Sequence, residues 1–324
     1  MRKIAILTSG GDAPGMNAAI RGVVRCGNAA NIEVYGIERG YEGLLRGTLR
    51  RMDSRSVSDI IQKGGTILKT ARSSEFAEEA GVKLAGEVLR AYGVEALVVL
   101  GGDGSFKGMR DLYNICGIPC VGIPATIDND LAYTDFTLGF DTAVNTVVEA
   151  INKLRDTMTS HDRACIIEVM GRKCGDIALY AGVAGGAESI VVPEHKHLVE
   201  DITNKMKKNA IKGKVSDIIV LAEGVCSCEE LKSQILEKMG NNSVVIRTVK
   251  LGYVQRGGSP SMRDRVFAAR CADRAINLLN SNYKDCRVVG IHNAQMIDME
   301  INEALDMVNV FDEELYRIAN KLSF

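Results

Sequence analysis

Residues 94–105 read VEALVVLGGDGS, and this stretch decides the fold class. Its first seven residues form a nearly continuous apolar run, which is typical of a parallel strand buried on both faces. The glycines that follow end the strand and permit a tight turn. The stretch therefore predicts one unit of an α/β protein, in which a strand leads through a glycine-rich loop into a helix.

The same alternation of apolar strands and amphipathic helices occurs on both sides of this stretch. The predicted strands are 3–8, 32–37, 94–100, 120–123, 164–170, 189–192 and 217–221, and the predicted helices include 16–26, 142–158 and 198–211. A second cycle of the pattern begins near Thr142, and no segment rich in Pro, Gly or Ser marks a linker. The alternation predicts a doubly wound architecture with mainly parallel sheets.

Composition excludes several classes of protein. The 324 residues are enough for two α/β domains or one large one, and a net charge of −1 gives no overall basic field for nucleic acid. No run approaches the ~20 apolar residues of a membrane helix, and the first three residues lead directly into a strand without a signal region. We therefore expect a cytoplasmic protein with no membrane or nucleic-acid partner. The nine cysteines lack metal-like spacing, which predicts reduced, mostly buried thiols.

Chemically useful residues follow the ends of five predicted strands. They are Gly10-Gly11, Asp103, Asp128, Arg172 and Glu223. Open α/β sheets bind ligands just beyond the carboxyl ends of their strands. Five such coincidences favour one shared crevice over five unrelated turns.

The loop after the first strand is suited to an anion. Gly10, Gly11 and Gly15 let the backbone approach a ligand, and the next helix directs free N–H groups toward it. An ordinary strand-to-helix turn is the alternative. A dinucleotide site, with Glu38 as the ribose ligand, is disfavoured because GGDAPG does not fit G-x-G-x-x-G. No Walker A sequence occurs, so a nucleotide bound here lies outside the P-loop geometry.

Two further loops indicate phosphoryl transfer. Residues 101–105 offer successive glycine N–H groups to phosphate oxygens, and Asp103 can bind Mg²⁺ directly or through water. In residues 124–130, PATIDND, Thr126 can bond a phosphate or the backbone, Asp128 is a candidate general base and Asp130 can orient it. A tight turn and an Asx-turn are the respective alternatives. A phosphate loop followed by a base is the inventory of a phosphoryl-transfer enzyme.

Taken together, the motifs resemble those of the bacterial-type ATP-dependent 6-phosphofructokinases. The matching runs are 7–17 (LTSGGDAPGMN), 101–105 (GGDGS), 126–130 (TIDND), 170–172 (MGR) and 255–260 (QRGGSP). The resemblance implies two similar domains, each a mainly parallel sheet covered by helices, with the active site in the cleft between them. It assigns residues 1–138 and about 255–305 to an ATP-binding domain, and residues 139–254 and about 306–324 to a fructose 6-phosphate-binding domain.

The resemblance also implies roles in catalysis and in nucleotide binding. Asp128 takes the proton from the C1 hydroxyl of fructose 6-phosphate as it attacks the γ-phosphoryl group of ATP, and Asp103 holds Mg²⁺. Arg72, Thr126, the Gly11 backbone and Arg172 complete the catalytic set. The implied nucleotide-binding residues are Gly11, Tyr41, Arg72, Gly102, Asp103, Gly104 and Ser105.

The implied sugar-phosphate site is rich in arginine, whose planar fork suits phosphate. Arg163 and Arg247 reach the 6-phosphate from a neighbouring subunit, and Arg256 does so in cis. The implied substrate-binding residues are Thr126, Asp128, Asp130, Arg163, Met170, Gly171, Arg172, Glu223, Arg247 and Arg256. Tyr253 departs from the histidine common in the family, which puts the affinity for the sugar phosphate in question.

Two small residues bear on the phosphoryl donor. Pyrophosphate-dependent relatives place Asp where Gly104 stands and Lys where Ala125 stands, so ATP is favoured, although Ala125 departs from the usual glycine. Ser73 and Ala77 replace larger residues that often flank the base, which leaves nucleotide selectivity open. A pyrophosphate-dependent enzyme, an NAD-kinase-like enzyme and a catalytically inactive sugar-phosphate or nucleotide sensor are the alternatives to the ATP-dependent activity.

Finally, the resemblance implies a homotetramer regulated at an effector site between subunits. ADP is the implied activator and phosphoenolpyruvate the implied inhibitor. The implied effector residues are Arg21, Arg25, Arg155, Gly186, Glu188, Lys212 and Lys214. Ser54 stands where an arginine is usual and Ser216 where a histidine is usual, so we expect altered affinity or preference at this site.

Overall fold

The computed structural model describes residues 2–196, 199–214, 216–240, 244–281 and 284–323. The chain divides into two compact units. The first unit comprises Met1–Thr142 and Arg256–Asn309, and the second comprises Ala143–Gln255 and Val310–Phe324. Each unit has its own sheet and its own helices, as the α/β prediction requires.

The strands and helices alternate along most of the chain. The strands are β1 (Lys3–Thr8), β2 (Glu33–Ile37), β3 (Leu49–Met52), β4 (Ala96–Gly101), β5 (Cys120–Thr126), β6 (Leu138–Gly139), β7 (Ala164–Val169), β8 (Ser189–Val191), β9 (Ile218–Ala222), β10 (Ile246–Lys250), β11 (Cys286–His292) and β12 (Gln295–Glu300). The α-helices are α1 (Met16–Ala29), α2 (Gly40–Leu45), α3 (Glu79–Ala91), α4 (Asp103–Cys116), α5 (Phe140–Ser160), α6 (Asp176–Ala184), α7 (Val199–Ile211), α8 (Cys228–Met239), α9 (Met262–Asn280), α10 (Ile301–Asp306) and α11 (Glu313–Leu322). Short 3₁₀ turns occur at Glu75–Ala77 and Gly252–Arg256.

The sheet of the first unit is mainly parallel. Its strand order is β12-β11-β5-β4-β1-β2-β3, and β6 pairs with β5. Only the two edge strands, β3 and β12, pair antiparallel among the described strands of this sheet. Because β1, β4 and β5 are parallel neighbours, their carboxyl ends meet at one edge of the sheet.

Strand β5 is longer than predicted. The sequence indicated that it stops at Pro124, whereas the strand continues to Thr126, and Pro124 pairs with Gly101 of β4. On its other side, β5 pairs with β11 through Gly122 and with β6 from Ala125 onward. The proline therefore falls between two pairings, where its missing N–H interrupts neither.

The second unit contains a smaller sheet that is entirely parallel over its described strands, in the order β10-β7-β9-β8. Its β7 strand reads ACIIEV and is buried throughout. One face of the sheet packs on a core that includes Ile166, Leu221 and Leu231. Leu198, the predicted first residue of helix 198–211, lies outside the described residues, and α7 begins at Val199. Among the described residues, no helix is long and apolar enough to cross a membrane.

Helix α5 begins two residues before the predicted Thr142 because a distant carboxylate caps its first turn. Asp264, on α9, is fully buried. It accepts hydrogen bonds from the Gly139 N–H at 2.8 Å, the Thr142 N–H at 3.0 Å and the Thr142 hydroxyl at 2.5 Å. Because Asp264 lies more than a hundred residues away in the chain, this cap has no local sequence signal.

Replacing Asp264 should destabilise the first unit strongly. We expect Asp264→Ala to lower the free energy of unfolding by about 3–5 kcal/mol, since it leaves several buried donors without an acceptor. The control is Asp53→Ala, which also removes an acceptor of two backbone N–H groups, at 2.9 Å each, but at an exposed site where water replaces it. Urea unfolding measures both. Equal losses in the two variants would contradict the importance of the Asp264 cap.

Candidate active site

The glycine loops after β1 and β4 approach each other around Ser105. The Ser9 N–H donates to the Leu100 carbonyl at 2.9 Å, which joins the two strand ends. A Cβ on Gly10 would lie 3.4 Å from the Ser105 Oγ, and a Cβ on Gly101 would lie only 2.4 Å from it. Ser105 is buried, so Gly101 is required for close packing, whereas Gly10 is required for its left-handed backbone, with φ at 85°.

A third segment, residues 63–70, is fastened to the same edge. The Thr8 hydroxyl donates to the Lys69 carbonyl, and the Thr70 hydroxyl donates to the Gly10 carbonyl, each at 2.8 Å. Arg72 follows two residues later and is exposed. The segment thus attaches the backbone before Arg72 to the end of β1 and its glycine loop while leaving the guanidinium accessible to an anion.

Asp103 is the first residue of α4, directly after the glycine loop. Its side chain is 45% exposed and lies 2.8 Å from the Lys107 Nζ, one helical turn away. No cluster of three or more His, Cys, Asp or Glu side chains suited to a metal occurs among the described residues. A single accessible carboxylate beside a phosphate loop fits Mg²⁺, which often takes one or two carboxylates together with substrate phosphates and waters.

The loop after β5 is held by its own side chains. The Asp128 N–H donates to the Thr126 hydroxyl at 3.2 Å, and the Thr137 N–H donates to the Asn129 side-chain oxygen at 2.9 Å. Asn129 adopts the left-handed conformation, with φ at 55°. Asp128 is 2% exposed, so its carboxylate lies in a low-dielectric position. The Thr126 contact is an ST-turn, and it fixes the backbone of Asp128.

Thr126 and Gly102 connect this loop to the phosphate loop. A Cβ on Gly102 would lie 3.5 Å from the Thr126 Cβ, which is van der Waals contact. Strands β4 and β5 are paired up to Gly101 and Pro124. Asp103 and Asp128 therefore follow neighbouring strand ends, as the sequence predicted.

Tyr41 lies beneath the phosphate loop. Its hydroxyl donates to the Ser105 carbonyl at 2.7 Å, and its ring stacks on Phe76 with 3.9 Å between centroids. Only 6% of Tyr41 is exposed, and burial raises the pKa of its phenol. In this position Tyr41 supports the loop through Ser105 rather than presenting an open ring face. Near this stack, the Ser73 hydroxyl donates to the Glu42 carboxylate at 2.8 Å and accepts the Phe76 N–H at 3.2 Å.

Arg256 lies beside the first glycine loop. A Cβ on Gly11 would sit 2.0 Å from the Arg256 Nη1, so a side chain at position 11 would displace the guanidinium from this place. Both residues belong to the first unit. A cation held against this loop is suited to a phosphate group.

In the second unit, the loops after β7 and β9 are in direct contact. The Arg172 N–H donates to the Glu223 carboxylate at 3.0 Å, and Arg172 is left-handed, with φ at 54°. A Cβ on Gly224 would lie 2.1 Å from the Arg172 carbonyl oxygen. The predicted sugar residues Gly171, Arg172 and Glu223 are therefore brought together. Met170, which directly precedes Gly171, is buried.

Gln255 is the first residue of the 255–260 motif, and the sequence alone indicates no role for it. It is fully buried, and its side-chain oxygen accepts the Met170 N–H at 3.2 Å, while its amide donates to the Gly252 carbonyl at 3.1 Å. Gln255 thus links the loop after β7 to the 3₁₀ turn Gly252–Arg256. Of the two remaining predicted arginines, Arg163 is half-buried after α5 and Arg247 is exposed on β10.

The predicted effector residues fall in two places. Arg21 and Arg25 lie on α1 in the first unit, and the others lie in the second. There Glu188, which is 4% exposed, accepts from the Ile218 N–H at 2.6 Å and forms ion pairs with Arg155 and Lys214.

The Gly186 carbonyl lies in the same group. It accepts from the Arg155 guanidinium at 2.6 Å. Lys212 is exposed, and Ser216 lies 3.4 Å from the Thr159 hydroxyl. The structure thus groups Arg155, Gly186 and Lys214 with one buried carboxylate, and the two cations are already engaged by it.

The geometry of the strand ends defines the class of this protein. Mainly parallel sheets whose adjacent strand ends carry glycine loops, carboxylates and arginines characterise an α/β protein that binds phosphates at that edge. Residues 3–279 match the phosphofructokinase family, and the chain belongs to that family.

Individual relatives agree over the full length. The chain is 56% identical over 324 residues to the ATP-dependent 6-phosphofructokinase of Clostridium tetani (strain Massachusetts / E88), with 100% of both chains covered. It is also 56% identical, over 323 residues, to the ATP-dependent 6-phosphofructokinase of Clostridium botulinum (strain Loch Maree / Type A3), again with 100% of both covered.

Solved structures of the family share the fold. The phosphofructokinase from Saccharomyces cerevisiae superposes with a TM-score of 0.89 at 31% identity, covering 99% of this chain and 47% of that one, so this chain spans about half its length. The pyrophosphate-dependent phosphofructokinase from Marinobacter aquaeolei superposes with a TM-score of 0.84 at 19% identity, covering 100% of this chain and 91% of that one. That second likeness concerns the fold alone.

Proposed function

We propose that this chain is an ATP-dependent 6-phosphofructokinase. It transfers the γ-phosphoryl group of ATP to the C1 hydroxyl of D-fructose 6-phosphate and forms fructose 1,6-bisphosphate, the committed step of glycolysis. The observation that carries the proposal is the pair Asp103 and Asp128, which follow the paired strands β4 and β5 beside a glycine loop. Full-length identity to relatives named for this activity supports it.

Asp128 is the general base of this proposal. Its carboxylate takes the proton of the C1 hydroxyl as the new O–P bond forms, and the bond from the γ-phosphorus to its bridging oxygen breaks, with the electron pair leaving on ADP. The Asp128 N–H donates to the Thr126 hydroxyl, and Thr137 donates to the Thr126 carbonyl and to the Asn129 side-chain oxygen. These bonds hold the base in place. A fixed base avoids reorganisation during the reaction.

The phosphates bind at the glycine loops. The backbone N–H groups of Gly11, Gly102 and Gly104 donate to their oxygens, and Ser105 lies in the same loop as Gly102 and Gly104. Arg72 neutralises charge as the phosphoryl group moves, and Arg256 binds the 6-phosphate of the sugar. Asp103 would hold Mg²⁺, which supplies further neutralisation of the phosphate charge when it is bound. Tyr41 supports this loop from below through the Ser105 carbonyl.

The second unit supplies the sugar contacts. Met170, Gly171, Arg172 and Glu223 hold the sugar, and Arg163 and Arg247 serve the 6-phosphate of a neighbouring subunit. The contact of Arg172 N–H with Glu223 supports a shared role for the two loops. The assignment of the units to ATP and to fructose 6-phosphate, the cleft between them, the homotetramer and the cytoplasmic location remain predictions.

ATP is favoured as the donor over pyrophosphate. Gly104 has open space around its Cβ position within the described residues, and Ala125 is small, so both positions leave room for the rest of a nucleotide. A catalytically inactive sensor is the second alternative. Binding without phosphoryl transfer does not require a general base, so Asp128 argues against it.

One assay with the purified protein tests the proposal. We expect fructose 1,6-bisphosphate to form from fructose 6-phosphate with ATP and Mg²⁺, and not with pyrophosphate replacing ATP. Product formed with pyrophosphate as the donor but not with ATP would make the enzyme a pyrophosphate-dependent phosphofructokinase. Binding of both substrates without turnover would favour a sensor.

Regulation is proposed at the group around Glu188, with Arg21 and Arg25 contributed by a neighbouring subunit. ADP should activate and phosphoenolpyruvate should inhibit at sub-saturating fructose 6-phosphate, because their anionic groups bind arginine and lysine. Rate curves recorded while each ligand is titrated measure this. Rates that respond to neither ligand would exclude an effector site for ADP and phosphoenolpyruvate.

A further inference from the structure

Glu168 is a buried carboxylate in an otherwise apolar strand. It is 3% exposed and occupies the β7 position directly before Val169 and Met170. Its Oε1 lies 2.5 Å from the Nζ of Lys250, its register partner on β10, and the Lys250 side chain is 65% exposed. Burying a charge is costly unless it is paired, so the pair calls for an explanation.

The other oxygen of Glu168 holds the start of α8. The Cys228 N–H, at the first residue of that helix, donates to Oε2 at 2.9 Å. The backbone carbonyl of Glu168 accepts the Leu251 N–H at 3.1 Å. One residue of β7 thereby fixes the end of β10 and the start of α8.

The loop between β9 and α8 is fixed at both ends by consecutive residues of β7. At its beginning, the Glu223 N–H donates to the Val169 carbonyl at 2.9 Å. At its end, Cys228 is held by Glu168. Glu223 itself accepts the Arg172 N–H at 3.0 Å. Contacts therefore run from Glu168 and Val169 through the two ends of this loop to Glu223, and from Glu223 to Arg172.

The charge of Glu168 depends on Lys250. Burial acts to raise the pKa of the Glu168 carboxyl, but the Lys250 ammonium and the Cys228 N–H outweigh it and hold that pKa below its usual value. Lys250, on β10, has its own pKa raised by the same pair. The other titratable groups facing the pair are Glu223, Cys226, Cys228 and Glu229.

We propose that Glu168 and Lys250 are positioning residues for the sugar-phosphate site, acting through the loop that carries Glu223. This inference rests on the proposed function of that site. The ion pair keeps the carboxylate ionised, the carboxylate holds Cys228, and Glu223 then orients the Arg172 backbone. Neither residue of the pair takes part in proton or phosphoryl transfer.

Lys250→Met tests the inference through Michaelis constants measured at several pH values. We expect the KM for fructose 6-phosphate to rise about 3- to 10-fold, with kcat and the KM for ATP unchanged. Without the ammonium, burial raises the pKa of Glu168, so the rise in KM should grow as the pH falls. The wild type should lack this pH dependence, and Lys250→Arg should restore wild-type behaviour.

Further variants separate positioning from a structural role. Glu168→Gln should raise the same KM at all pH values, and adding Lys250→Met to it should change little more, because the two residues act as a unit. The control is Lys153→Met, which breaks an exposed pair with Glu149, 2.6 Å from Nζ to Oε1, in the same unit. It should leave every constant unchanged.

Two outcomes would overturn the inference, and they are distinguishable. An active wild type in which Lys250→Met lowers only the melting temperature, with an unchanged KM at every pH, would make the pair merely structural. A wild type that fails to phosphorylate fructose 6-phosphate would remove the proposed function, and this inference with it.

Discussion

Asp128→Ala should lower kcat by about 10²–10⁴-fold, because the attacking hydroxyl then has no positioned base. The KM for ATP should change little, since the glycine loop and Asp103 remain. Asp128 is buried and its backbone is fixed by Thr126, so few other groups can replace its carboxylate. Steady-state kinetics with both substrates measures the effect.

Two controls define what the loss means. Asp128→Asn keeps the shape but cannot accept a proton, so its kcat should fall in the same range. Asp111→Ala removes another carboxylate of the first unit, which pairs with Arg110 at 3.0 Å, and should leave kcat unchanged. Near wild-type turnover by Asp128→Ala would exclude Asp128 from proton transfer.

Gly104→Asp should reduce kcat/KM for ATP by about 10²-fold, since a carboxylate in the phosphate loop repels the nucleotide by several kcal/mol. The side chain can be accommodated: within the described residues, no heavy atom lies within 4 Å of a Cβ at Gly104. Folding should therefore be unaffected, and an unchanged melting temperature would show this. Kinetics with ATP as the varied substrate gives the magnitude.

Gly104→Asn distinguishes charge from bulk in this prediction. It adds a side chain of nearly the same size without the negative charge, so most of the ATP activity should remain. Equal losses in the Asp and Asn variants would mean that space, not repulsion, decides the donor. Full activity in both would place the phosphates away from Gly104.

Much of the candidate site was predictable because its chemistry lies at strand ends. The run 94–105 indicates a buried strand and a glycine loop, and the structure has β4 and the start of α4 there. The mainly parallel α/β fold is confirmed. A parallel strand buried on both faces has a continuous apolar sequence, so its end is easy to recognise.

Features that depend on distant partners were not predictable. Strand β3 and its antiparallel pairing at the sheet edge have a polar sequence, LRRM, with no buried-strand pattern. The passage of β5 through Pro124 depends on where β11 and β6 pair. The Asp264 cap joins residues more than a hundred positions apart.

A weak local signal did exist for one of the missed features. Glu168 is the single charged residue of the β7 run ACIIEV, and a charge inside an apolar strand requires a partner. The partner, Lys250, is distant in the chain and is specified only by the register of β7 and β10. Sequence reasoning could have detected the anomaly without finding its partner.

Transfer of label tests the central claim most directly. The protein is incubated with fructose 6-phosphate, Mg²⁺ and ATP labelled in the γ-phosphoryl group, and the product is examined by NMR. We expect the label in the phosphate at C1 of fructose 1,6-bisphosphate with the wild type, and at a rate reduced about 10²–10⁴-fold with Asp128→Ala. Label released as inorganic phosphate, or transferred equally fast by the variant, would contradict it.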